Sequence, residues 1–474
     1  MARLVQGVVA GAMVVASAGC GGSTALESGG AGDGGELGTR GNSDGVSRGA
    51  SSTARAGQPG TGAGHELRAR GSALAIAVDA RGRAIAAFLS ALDGGDGGFV
   101  VRASLYDPAA GWGAIADVSG PYSAAVDLAI AASPGGFIVA YAMREQSGAW
   151  RLAARRALNA AWTPELVLDA WAPRTKSASL VAVAWGDEPE GALVWFENHW
   201  NEYSYLPAPW RVGYRTLSED GPGEPTFVEG VAESWVYGAA IAPAASGWLA
   251  AFQHASASES KLSTLACARG AECATGSARS DEPWAAYPFA VHAAGVSALL
   301  RRTVAGEQRW LLSERAPDST WLGEADIGPV PEQTSWDALH ANARGDRLLT
   351  GVRGEQYCTD SLLLGESSRL SPPTLTTIAP QPGFGVAQVR AALAESGRAV
   401  VAWGEGQRPD YASCAPTALR VMHRDGDTWS VPRALETRGT FYELTIAAAD
   451  SGRTLLAYYE QASHEVVARW VEVD

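Results

Sequence analysis

From residue 73 onward one pattern recurs eight times, and it constrains the architecture more tightly than any single motif. A short alternating run is followed by a turn with glycine, then by an apolar run ending in an aromatic. The clearest copies are LAIAVDARGRAIAAF (74–88), LAIAASPGGFIVAY (128–141), AAIAPAASGWLAAF (239–252), VRAALAESGRAVVAW (389–403) and LTIAAADSGRTLLAYY (444–459). Weaker copies stand at 180–196, 289–300 and 338–350. The turn glycines are Gly82, Gly135, Gly191, Gly247, Gly295, Gly345, Gly397 and Gly452, spread over 370 residues in seven intervals, a mean period near 53. A third apolar run follows a variable loop, as in 99–106 or 417–423. A tight turn then leads to Trp112, Trp162, Trp321 or Trp429, and a weaker fourth run closes the unit. Runs of this length bounded by Gly, Pro and Asp read as strands joined by hairpins. Four antiparallel strands per unit, repeated every 50 residues or so, predict an all-β chain folded as a single β-propeller. No segment keeps a helical period.

The first strand of each unit supports this. Side chains alternate along a strand, so Leu74, Ile76 and Val78 share one face and Ala73, Ala75 and Ala77 the other. The same split recurs at Val126, Leu128 and Ile130 against Ala129 and Ala131. Small residues on one face suit blades converging on an axis. Unit eight ends after its third strand, 466–473, and lacks a fourth. Residues 65–72 could supply it and close the ring, which predicts eight blades. Seven blades, with one weak unit miscounted, is the alternative.

The N-terminal segment reads differently. Arg3 precedes an apolar run from Leu4 to Ala16, too short for a spanning helix and suited to a signal-peptide core. Its end, Ser17-Ala18-Gly19-Cys20, resembles the lipobox of bacterial lipoproteins. That resemblance implies cleavage before Cys20 and a lipid on its sulfur, although Ser17 stands where the family usually has Leu; the alternative is an ordinary secretory signal cut nearby, which leaves Cys20 free and the chain secreted. Gly21 in place of an inner-membrane Asp signal points to the outer membrane. Residues 21–64 hold 15 Gly, 6 Ser and no aromatic, the composition of a disordered tether. The expected organisation is therefore a signal peptide over 1–20, a tether over 21–64 and a propeller over 65–474.

Composition narrows the partners. The net charge is −14, which argues against nucleic acid or an anionic membrane held by a basic face. The membrane is expected to be met through the lipid alone, and the chain to be monomeric.

The propeller region resembles sialidase-like, Asp-box propellers of bacterial secreted proteins. The resemblance spans about 400 residues and rests on pattern. The Asp-box itself is not intact; DGDTW at Asp425–Trp429 comes nearest, in shortened form. Kelch and WD40 signatures do not fit. A sialidase would need an arginine cluster for a substrate carboxylate, a Tyr–Glu nucleophile pair and an acid/base residue. Arg302, Arg353 and Arg390 are the candidates for the first, and the sequence singles out no Tyr–Glu pair.

Ligand sites on propellers gather where the loops joining strands two to three, and four to the next blade, share a face. The loop of unit three carries Phe196, Trp200, Tyr203, Tyr205, Trp210 and Tyr214. Such aromatics suit stacking on sugar rings or gripping a peptide; packing over the blade edge is the plainer reading. The second strands end in Ser90, Arg144, Glu197, Gln253, Arg302, Arg353, Glu405 and Glu460, read as a mixed-charge ring near the channel mouth. The candidate ligand-binding set is thus Trp200, Tyr203, Tyr205, Trp210, Tyr214, Glu197, Arg302, Arg353 and Glu405.

With Cys20 lipidated, four cysteines remain. Cys267 and Cys273 flank a hairpin turn, and Cys358 and Cys414 occupy equivalent positions in adjacent units, so both pairs are disulfide candidates. No CxxC spacing suggests zinc. Asp93 and Asp96 read as a turn rather than a calcium loop, and His292 and His340 lack a third ligand. No phosphate loop, HExxH or GxSxG occurs, and no cofactor or catalytic residue is assigned. The expected function is a surface-anchored propeller binding glycan or protein. The alternatives are a sialidase-type hydrolase and a structural part of an envelope assembly.

Overall fold

A computed structural model describes residues 66–472 apart from 93–97, 134, 160, 172–176, 187–189, 199–209, 219–220, 232–234, 256–259, 269–272, 281–287, 318–320, 330–333, 355–358, 369–370, 408–414 and 436. Every regular element among the described residues is a β-strand. They form eight antiparallel sheets, each a blade of an eight-bladed propeller, and the inner strand of each blade neighbours those of the blades beside it. Those inner strands are Ser72–Val78, Ala124–Ser133, Ser177–Trp185, Trp235–Ala244, Phe289–His292, Thr334–Ala341, Phe384–Leu393 and Phe441–Ala448.

The ring closes as the strand count demands. Glu66–Arg70 pairs antiparallel with Glu465–Val471, the third strand of blade eight, from Glu66↔Arg469 to Arg70↔Glu465. The chain turns at Gly71 and enters the inner strand of blade one at Ser72. A Cβ at Gly71 would meet the Phe88 ring at 2.5 Å and the Leu89 carbonyl at 2.6 Å, so the corner needs glycine. Across the seam Leu67 and Ala69 pack with Ala86, Phe88, Val466, Ala468 and Trp470. Arg68 meets Glu460 at 3.0 Å and Glu465 at 3.4 Å.

The cores lie between blades. Leu74, Ile76 and Val78 face blade eight, whereas Ala75 and Ala77 face blade two. The large/small alternation read from the sequence therefore separates two interfaces of one strand.

Turns between inner and second strands follow a common form in blades one, six, seven and eight. In blade one, Gly82 donates to the Asp79 carbonyl and Asp79 N–H to the Arg83 carbonyl. Gly82, Gly345, Gly397 and Gly452 all take φ between 76° and 90°, a left-handed conformation that only glycine adopts cheaply. Adjacent turns are linked: Ala343 N–H donates to Glu395, and Ser396 N–H to Asp450.

Outer strands are weak for a visible reason. In blades one, two, three and seven they split into two short pieces, such as Gly111–Trp112 and Ala116–Asp117. Pro164, Pro222 and Pro432 fall in these pieces or the gaps between them, and proline belongs on an edge because it cannot donate to a ladder. Cys267 and Cys273 form a disulfide across the hairpin of blade four. Cys358, Cys414 and residues 1–65, the stretch expected to hold a signal peptide, a lipidated Cys20 and a tether, lie outside the described residues.

Candidate functional site

The strand-two ends read as a charged ring are mostly buried within their blades. Glu197 is fully buried, accepts from Trp195 Nε1 at 3.3 Å and pairs with Arg211 Nε at 2.5 Å. Glu405 repeats the arrangement, with Trp403 Nε1 at 3.2 Å and Arg420 Nε at 3.1 Å. Glu460 takes Arg68. Trp-x-Glu on strand two with Arg on strand three is thus a packing device in blades three and seven. It places these carboxylates against neighbouring strands instead of solvent.

The aromatic loop of blade three is shorter than its sequence suggests. Strand two runs to Asn198 and strand three begins at Trp210. Phe196 is core, edge-on to Phe252 at 5.8 Å. Tyr214 pairs with Val194 and is buried between blades three and four, which removes it from the set of surface contacts. Burial and the nearby Glu190 charge hold its phenol well above the ordinary range. Trp200, Tyr203 and Tyr205 lie outside the described residues, as do Asp93 and Asp96.

The three arginines do not converge. Arg302 is ion-paired with Glu324 at 3.0 Å, and it stands four residues beyond Ala298, where pairing with the inner strand ends. Arg353 pairs with Thr334, four residues from Ala338 and so roughly 13 Å along the strand. Arg390 pairs with Ala402 at the depth of Ala338, in mid-strand.

A different constellation is assembled at the border of blades one and two. Gly120–Tyr122 leads from the outer strand of blade one into blade two. Its end is fixed by reciprocal backbone bonds between Tyr122 and Phe99 and by Ser123 donating to the Arg144 carbonyl. Opposite stands the hairpin Glu145–Ala149, closed by Gly148. With Arg151 and Glu165 these segments line an open cleft of about 400 Å³. Arg151 is ion-paired to Glu145 and lies 3.6 Å from Glu165. Glu165 also accepts from the hydroxyls of Tyr122, at 3.3 Å, and Tyr141, at 2.8 Å.

The electrostatics of this group are one-sided. Burial, reinforced by the Glu165 charge, pushes both phenols far above their usual range and keeps them protonated. Tyr122 is 4% exposed and Tyr141 0%, so neither offers its oxygen to an incoming substrate. What the cleft does present is a guanidinium flanked by two half-exposed carboxylates, plus Ser147 and Gln146. That set can exchange hydrogen bonds with hydroxyl-rich or amide-bearing molecules. Sequence reading missed these residues because they come from four separate segments, none with a motif.

Among the described residues no three His, Cys, Asp or Glu cluster as metal ligands. The most exposed apolar side chains, Val431, Leu322 and Leu375, stand singly on or beside the outer strands of blades seven, five and six. Isolated apolar residues are ordinary surface.

No protein-family model matches the sequence, and no curated protein matches it. Several solved structures are similar to it. One is the Dos1 propeller, 9% identical over 86% of this chain and 94% of that one, with a TM-score of 0.47. Another is the WD40 domain of SCAP from fission yeast, 8% identical over 86% and 96%, with a TM-score of 0.47. A third is the Hadza microbial sialidase Hz136, 10% identical over 79% and 73%, with a TM-score of 0.39. That the chain is a β-propeller rests on its own strand pairing, and its likeness to these structures is one of fold alone.

Proposed function

We propose that this chain is a lipid-anchored, tethered β-propeller that binds hydroxyl-rich ligands, glycans foremost, without transforming them. The cleft of Tyr122, Glu145, Arg151 and Glu165 carries this reading. It is open, polar and pre-organised, and its carboxylates and phenols are engaged with one another rather than poised for proton or covalent chemistry. Anchoring rests on Cys20 and its preceding segment, and display on the glycine-rich stretch that follows.

Two measurements test the two halves. On a glycan array the full chain should bind a restricted set of glycans, and Arg151→Ala should weaken that binding at least tenfold while leaving the melting temperature within a few degrees. A blank array together with a blank pull-down from whole-cell lysate would refute the binding role. In cell fractionation, Cys20→Ala should move the protein from the membrane pellet to the soluble fraction. Persistence in the pellet would exclude lipidation at Cys20.

A further inference from the structure

Two carboxylates divide the one guanidinium of the blade-two cleft between them. Arg151 pairs with Met143, on the face of blade two that packs against blade one. Its Nη2 is ion-paired with Glu145 Oε1, its Nη1 lies 3.6 Å from Glu165 Oε1, and its Nε is buried. Glu145 is itself held in place. Its second oxygen accepts from Ser147 Oγ at 3.3 Å, and that hydroxyl oxygen accepts from the Ala149 N–H at 3.2 Å. Backbone bonds from Glu145 N–H to the Ala149 carbonyl and from Gly148 N–H to the Glu145 carbonyl close the hairpin around it.

This arrangement decides which ligands the cleft can take. An arginine grips a carboxylate best through two N–H groups on one edge of its plane. At Arg151, Glu145 holds Nη2, Glu165 faces Nη1, and Nε is closed to solvent, so an incoming carboxylate meets a resident one beside each nitrogen it could reach. No second cation relieves this. Arg155, on the same face of the same strand, gives Nε to the Thr163 carbonyl at 2.6 Å and Nη1 to the Asp117 and Val118 carbonyls at 2.9 and 3.2 Å. Arg144 pairs with Trp150 on the opposite face, which with Ala142 and Leu152 packs toward blade three. The lining therefore holds two carboxylates against one guanidinium, a net charge of −1, within a chain of net charge −14. Like charge set against a ligand rejects it. Hydroxyl groups meet no such barrier, because the partly exposed carboxylate oxygens keep lone pairs that can accept from them.

We infer that Glu145 is a specificity-determining residue: by occupying Arg151 it makes the cleft a site for neutral glycans and excludes those that carry a carboxylate, such as uronic or sialic acid units. The inference rests on the glycan-binding reading of this cleft and narrows it. Glu165, held by the Tyr122 and Tyr141 hydroxyls, adds the second repelling charge.

Matched glycan pairs test this, each a neutral glycan beside the same glycan bearing one terminal sialic acid, screened on an array and then titrated calorimetrically for the pair that binds best. The full chain should bind the neutral member at least tenfold more tightly. Glu145→Gln frees Arg151 of its charged partner and should narrow that ratio to about threefold or less by tightening the acidic member. Asp425→Asn removes one negative charge at an exposed turn of blade seven and should leave the ratio unchanged, which separates a local effect from net charge. All three proteins should melt within a few degrees of one another. Acidic members bound as tightly as neutral ones by the unaltered chain would overturn the selectivity and leave the binding role standing. A ratio indifferent to Glu145→Gln, narrowed as much by Asp425→Asn, or accompanied by loss of both members in Glu145→Gln would overturn the assignment to Glu145. Binding of neither member by the unaltered chain would refute the binding role and the selectivity with it.

Discussion

A chain beginning at Ser72 should melt about 5–10 °C below one beginning at Gly60, and should aggregate on heating. The first lacks Glu66–Arg70, the outer strand of blade eight; the second lacks none of the described ring. Removing the strand exposes Leu67's partners Val466, Ala468 and Trp470. It also strips a ladder of backbone bonds and leaves Glu460, fully buried, without Arg68. Burying one leucine contributes about 1.5–3 kcal/mol, each backbone bond about 1 kcal/mol, and the opened sheet edge is a template for other chains. Differential scanning calorimetry of the two truncations decides the matter. Equal melting temperatures would mean that the seam carries no stability.

Arg420→Ala should destabilise the propeller by about 3–5 kcal/mol in urea unfolding, because it leaves Glu405 buried and uncompensated. Glu405 is 2% exposed, and among the described residues its side chain meets Arg420 and Trp403 Nε1. Replacing both, as Glu405→Gln with Arg420→Met, should recover most of the loss, since the cost lies in the orphaned charge rather than in the missing bond. A double variant as unstable as the single one would contradict this account.

These two results probe features of different legibility. The seam was readable from counting: a period near 53 leaves unit eight one strand short, and 65–72 is the stretch left over. The alternation Leu74/Ala75/Ile76/Ala77 likewise announced two unequal interfaces, because side-chain direction along a strand has period two. The roles of Glu197 and Glu405 were not readable. A glutamate at a strand end looks solvated until the partner arginine, 14 or 15 residues on, is placed beside it by register. Tyr214 misled for the same reason: whether an aromatic belongs to a loop or to a strand depends on where pairing resumes, and it resumes at Trp210. The cleft was invisible because Tyr122, Glu145, Arg151 and Glu165 acquire meaning only together. The inner-strand bulges leave no sequence mark either: the residues left out of the ladder, Asp337 in blade six and Gln388 and Val389 in blade seven, sit in ordinary strand-like runs.

The seam also sets an order of events. Arg68 and Glu460 are 392 residues apart, so the strand synthesised first is paired last. Until the third strand of blade eight emerges, Leu67 and Ala69 have no sheet to join. Seven blades can assemble by local hairpin formation, each contact spanning tens of residues, but closure must pay the entropy of the longest loop in the molecule. Ring completion should therefore be the slow, late phase of refolding. Until it is complete, the third strand of blade eight and the free strand Glu66–Arg70 each keep an unpaired edge, a template for joining another copy of the molecule.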